Sequence, residues 1–249
     1  MPVSSLSFQR PPDLWRADEL AAGPPRTVPT GHAALDAELP GGGWPLGGLI
    51  ELLQPAPDTP TWPLLLPAVA CGGAVALVNP PHEPFLPALA AAGVRAGGVL
   101  WLAADAPAAQ LWLAEQALRC ADVAAVLAWL PRVRAADLRR LHLAAAQRGD
   151  PLLFALRPAS AAAASPAPLR LQVDAEAGAL ALRVRLLKRR GPPLDAPLRL
   201  PAQHGRLRAL LAASAPALRP GAVVLPFAAR ADSVSAGGDD ALDRLAVAA

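Results

Sequence analysis

Tyrosine is missing altogether from this 249-residue chain, lysine occurs once (Lys188), and there are only two cysteines, Cys71 and Cys120. Two cysteines far apart exclude the dense disulfide framework of a small secreted domain, and they lack the close pairs that ligate zinc. Both stand among apolar residues and read as small core side chains. No apolar run is long enough and unbroken enough to span a membrane. The longest uncharged stretch, 59–81, is interrupted by Pro60, Pro63, Pro67, Gly72, Gly73 and Pro80, which divide it into a short helix, a turn and a strand. The first ten residues are polar and carry no apolar segment of a secretory signal. The expectation is a cytoplasmic chain with no membrane contact.

What is abundant is alanine, leucine, proline and arginine, a bias of the kind GC-rich coding produces, so arginine number alone argues little. The distribution of charge argues more. Residues 1–125 hold 5 basic and 11 acidic side chains, and residues 126–249 hold 18 and 9. A basic second half fits an acidic partner, either nucleic acid or an acidic protein surface. The length suffices for one substantial core without disulfides.

Residues 1–27 carry Pro11, Pro12, Pro24 and Pro25 around one short helix candidate and read as an N-terminal arm. From Gly31 the pattern becomes regular. Thr30 is the expected N-cap of a helix running through Leu39, and Pro40 with Gly41–Gly43 ends it. Strands are expected at Leu49–Leu53, Ala74–Val78, Val99–Ala103, Val123–Leu130 and Leu152–Leu156. Helices are expected between them: Thr61–Ala70, then one opened by Pro84 and reaching Ala92, one capped by Asp105 over Ala106–Arg119, and Ala135–Arg148. Short strands alternating with helices predict βαβ crossovers and a mainly parallel sheet. After a low-complexity loop, 159–168, the segments Leu169–Val173 and Ala179–Leu187 flank an acidic turn and predict an antiparallel hairpin at the sheet edge. Beyond Pro192 no periodicity is sustained. The predicted organisation is an arm (1–27), a core domain (28–191) and a C-terminal interaction tail (192–249), disordered in part around 233–240.

The entry to this core resembles that of the RecA recombinase family. Thr30-Gly31, Leu35-Asp36, Gly42-Gly43-Trp44-Pro45-Leu46-Gly47 and the strand Leu49–Leu53 follow its pattern, and the order of strands and helices extends the likeness to about residue 190. The resemblance implies an α/β fold of the P-loop NTPase type. The nucleotide chemistry does not follow. A P-loop needs glycines whose successive N–H groups face phosphate oxygens, and a lysine for the β- and γ-phosphates. In its place stands Gln54-Pro55-Ala56-Pro57-Asp58-Thr59-Pro60-Thr61, with three prolines, an acid and no lysine. Thr61 alone remains as a magnesium-side hydroxyl. The strand Val123–Leu130 ends without the metal-facing aspartate, and Pro81 aligns with the family's catalytic glutamate, Glu83 falling two places late. The expectation is a degenerate P-loop with no cofactor, no metal site and no enzymatic activity. Trp44 and Trp62 bracket the turn and are expected to fill the space a nucleotide would occupy. His32, His82, His142 and His204 are scattered and form no ligand set.

A RecA-like core with a broken P-loop, followed by Leu186-Leu187-Lys188-Arg189-Arg190-Gly191 and a tail containing Leu225-Pro226-Phe227, is similar to the ImuA family of the bacterial SOS response. That resemblance implies an accessory role in error-prone translesion DNA synthesis, with ImuB, an error-prone C-family DNA polymerase and RecA as partners. The candidate contact residues for partner or DNA are Lys188, Arg189 and Arg190, together with the amphipathic tail segment carrying Arg206, Leu207, Arg208, Leu210 and Leu211. Two alternatives stay open. SulA-type division inhibitors, which bind FtsZ, also resemble RecA without a P-loop, and a RecA-class ATPase with an unusual loop is the other.

Overall fold

The computed structural model describes residues 26–203, apart from 71, 162–163 and 177–180. The arm before Arg26, the Leu225-Pro226-Phe227 segment, His204 and the tail candidates Arg206, Leu207, Arg208, Leu210 and Leu211 lie outside the described residues.

The described chain is a mixed α/β structure built on one eight-stranded, mostly parallel sheet. A two-residue strand, β1 (Thr27–Val28), pairs antiparallel with β2 (Trp44–Pro45), and the short helix α1 (Ala33–Asp36) lies between them. Then come β3 (Leu49–Gln54), α2 (Trp62–Val69), β4 (Ala74–Val78), α3 (Leu86–Ala91), β5 (Val99–Leu102), α4 (Pro107–Arg119), β6 (Val123–Trp129), α5 (Ala135–Arg148) and β7 (Leu152–Pro158). β8 (Leu169–Ala175), β9 (Ala181–Lys188) and β10 (Leu198–Pro201) complete the sheet. The strand order is β10-β9-β8-β3-β7-β6-β4-β5. β3 runs parallel to both β7 and β8, whereas β9 is antiparallel to β8 and β10 to β9.

Helices on both faces bury β3, β4, β6 and β7 on two sides, which is why these strands are near-continuous apolar runs, whereas β5 at the sheet edge is largely exposed. One core layer joins Leu35, Leu39 and Trp44 of the entry segment to Leu64, Leu65 and Val69 of α2 and to Ile50, Leu52 and Phe154 of the sheet. The other sets Leu111, Ala114 and Leu118 of α4 and Leu138, Leu141 and Ala145 of α5 against Leu49, Val126 and Leu153. The buried residues of both long helices recur at helical spacing along one face.

The entry segment is a clasp. Asp36 Oδ1 accepts the Thr30 N–H at 2.8 Å, and the Thr30 hydroxyl accepts the His32 N–H at 3.1 Å. Gly31 has φ +81°, and a Cβ there would lie 2.4 Å from Cβ of Pro67 on α2. Gly47 has φ +65°, and its Cβ would meet the Gly149 backbone at 2.8 Å, where α5 ends. Both glycines are required by backbone conformation and by close approach together.

Several expectations are corrected. His32, not Thr30, is the N-cap of α1, and the helix ends at Asp36 rather than Leu39. Pro84 lies outside α3, whose first turn holds Pro87 instead. Asp105 caps nothing, because Ala106 is the N-cap of α4 and makes no side-chain bond. Cys120 is exposed at the C-cap of α4 rather than buried, and Cys71 lies outside the described residues. The sheet also continues past residue 191, since β10 adds a strand and buries Leu200.

Candidate functional site

The turn after β3 closes on itself. The Thr59 hydroxyl donates to Ala56 O at 2.7 Å and accepts the Ala56 N–H at 3.3 Å. Thr59 N–H donates to Ala56 O at 3.1 Å and Thr61 N–H to Thr59 O at 2.7 Å. Pro55, Pro57 and Pro60 have no N–H to offer. Three positions of the turn therefore have no N–H, those of Ala56, Thr59 and Thr61 are committed inside it, and Asp58 stands exposed among them. Gln54, the last residue of β3, is buried; its Nε2 donates to Pro57 O at 3.1 Å, while Oε1 has no partner. Thr61 is buried directly before α2.

Two indoles meet, one next to the turn in sequence and one at the end of β6. Trp62 begins α2, Trp129 ends β6, and their ring centroids are 6.2 Å apart with the planes at 48°. The end of β6, which carries no acidic side chain, thus holds an aromatic ring. Trp44 does not share this place. It is fully buried in the entry clasp and meets Phe154 edge to face at 5.3 Å and 88°. After β4, Asn79 takes φ +50° and clamps the end of β5: its carboxamide donates to Ala104 O at 2.7 Å and accepts the Ala104 N–H at 2.9 Å. Pro81, His82 and Glu83 follow as exposed residues.

The sequence reading missed the most heavily charged interior group. Glu51 lies in the middle of β3 with its side chain fully buried, between Arg157 of β7 and Arg170 of β8, and both guanidiniums donate to its carboxylate. Arg157 also reaches Val133 O and Arg170 reaches Ala161 O, while Arg157 Nε is buried without a partner. Two cations to one anion leave a positive excess inside the sheet. The signal was present: a glutamate inside an apolar strand buried on both faces has to find cationic partners.

On the opposite end of the same strand, the Leu49 N–H donates to His142 Nδ1 at 3.2 Å. Burial, and secondarily the nearby Arg139 charge, lowers the His142 pKa and favours the neutral ring this bond requires.

The three basic candidates behave differently from one another. Arg189 is largely buried, donating to the Glu38 carboxylate at 2.7 Å and to the Glu38 and Pro192 carbonyls, so it ties the end of β9 to the entry segment. Lys188 is exposed and donates to Ser165 O at 3.3 Å. Arg190 is exposed. Among the described residues, no three or more His, Cys, Asp or Glu side chains converge on a point that could hold a metal ion, and no helix is long and apolar enough to cross a membrane. No protein-family model matches the chain, and comparison with curated proteins finds no significant match.

Proposed function

We propose that this chain is a non-enzymatic adaptor with a RecA-like core, acting as an accessory protein in SOS-induced, error-prone translesion DNA synthesis alongside ImuB, a C-family DNA polymerase and RecA. The observation that supports a non-enzymatic reading is the self-bonded turn 54–61, followed by the contact between Trp62 at the start of α2 and Trp129 at the end of β6. The RecA-like part of the reading is supported by the entry motif 30–47, by the succession of strands and helices after it and by the antiparallel hairpin that extends the parallel sheet. The partner part rests on the resemblance of segment 186–191 to the ImuA family. A domain that keeps the frame of a nucleotide-binding fold while closing its phosphate turn acts through its surfaces.

Two measurements test the reading. Isothermal calorimetry with ATP and magnesium is expected to show no binding at micromolar nucleotide; a micromolar Kd would return the RecA-class ATPase to favour. Pull-down with the full chain as bait is expected to retain ImuB or RecA and not FtsZ. Capture of FtsZ alone would replace the adaptor reading with a division inhibitor.

A further inference from the structure

Among the described residues, no helix packs on the outer face of the hairpin and β10. In β9, Leu182, Val184 and Leu186 point into the core, so Arg183, Arg185 and Leu187 emerge on the other side. On β10, Arg199 emerges beside Arg183, its partner in register. All four are exposed. Residues 181–203 carry six basic side chains and one acid, Asp195.

Not all of this charge is compensated within the ribbon. Arg199 pairs with Glu176 at 2.7 Å, and Arg183 lies opposite Asp174 in register. Arg185 faces only Gln172. Glu176 lies near both Arg183 and Arg199 and offsets their like-charge contact across the ladder, which leaves Arg185 as the arginine of this face with no acid opposite it. Beneath the same face Arg170, Arg157 and Glu51 add a further net positive charge.

The geometry points to a phosphate-backbone site for single-stranded nucleic acid on the outer face of β9 and β10, made by Arg183, Arg185 and Arg199. A protein partner would need an apolar or aromatic centre to anchor on, and Leu187 is the one large apolar side chain exposed on β9. A phosphate backbone needs no such centre. Residues two apart on a strand stand about 7 Å from each other, close to the step between phosphates of an extended single strand. Guanidiniums also match phosphate as planar forks. With no aromatic ring on β8, β9 or β10, bases are not stacked, so binding is sequence-independent and salt-sensitive. This site is separate from Lys188-Arg189-Arg190, whose central residue is committed to Glu38.

The test is fluorescence anisotropy of a labelled oligo-dT with the full chain and no partner protein, so its outcome is independent of the adaptor reading. Binding is expected to weaken with salt at a logarithmic slope of about −2, for three phosphates at roughly 0.7 each. R183E/R185E is expected to weaken binding roughly tenfold or more at low salt, while Arg95→Glu, an equal reversal per site in the segment before β5, leaves it unchanged. R185Q, which disturbs no acidic neighbour in register, is expected to lose affinity too and keeps the test readable should the double reversal unfold. Absence of saturable binding, unchanged affinity in R185Q, or an equal loss in Arg95→Glu would overturn the proposal.

Discussion

Trp62 and Trp129, 67 positions apart in the numbering, meet at 6.2 Å across the end of the sheet. One belongs to the helix after the closed turn and the other ends the strand that carries no acid. The contact makes this end of the sheet part of the hydrophobic core. Trp129→Ala is expected to lower unfolding free energy by about 3 kcal/mol, as truncation of a buried aromatic does. A double-mutant cycle with Trp62→Ala should return a coupling of about 0.5–1.5 kcal/mol. Strict additivity in urea denaturation would show that the rings do not support each other.

Glu51 offers a second test. Replacing it with glutamine leaves two guanidiniums buried around a neutral amide, and the expected loss is about 3–5 kcal/mol. Replacement by leucine should be similarly harmful, because both cations remain. A triple replacement by apolar residues is the variant expected to recover stability. Equilibrium urea unfolding reads all three.

Arg189 and its neighbours separate structural from surface charge. Arg189→Ala breaks the bonds to Glu38 and Pro192 and is expected to cost about 1–3 kcal/mol. Arg190→Ala, on an exposed residue, should stay within about 0.5 kcal/mol. Equal effects in thermal melts would mean that the Glu38 link contributes nothing.

His142 sets a pH dependence with a definite sign. Its folded pKa lies below the usual 6.5, so the unfolded chain takes up the proton more readily than the folded one. The neutral-ring bond to the Leu49 N–H is fully present above pH 6.5, and stability falls as pH drops from 6.5 through the lower folded value. His142→Leu removes the acceptor and lowers stability at pH 7.5, yet it should flatten the curve between pH 7 and 5. A variant whose melting temperature keeps the parental pH slope would show that another group titrates.

The parallel part of the fold is legible in the sequence for a local reason. Ala74–Val78, Val123–Trp129 and Ala135–Arg148 are bounded by glycine, aspartate or proline, and their apolar content or spacing identifies strand or helix without any partner. β10 is not legible, because Leu198–Pro201 is four residues among prolines and becomes a strand through pairing with β9. Helix starts at Thr30, Pro84 and Asp105 are misplaced because each residue type suits several positions near a turn. The closed turn is legible from its prolines. The cationic ribbon is less so: the pattern of 181–188 shows which side chains share a face, but not that this face lacks a helix. Glu51 is in plain view, yet its partners lie 106 and 119 positions away, a pairing that only the sheet register creates.

Gly31 and Pro67 carry a lesson about how such chains change over time. A methyl group at 31 would enter the proline ring, and the positive φ resists any side chain there, so Pro67 constrains position 31 while Gly31 leaves room for change at 67. The same steric lock makes no demand on nucleotide chemistry. Glycine at this place in the entry segment is accounted for by the helix packed against it, whatever chemistry the neighbouring turn does or does not perform.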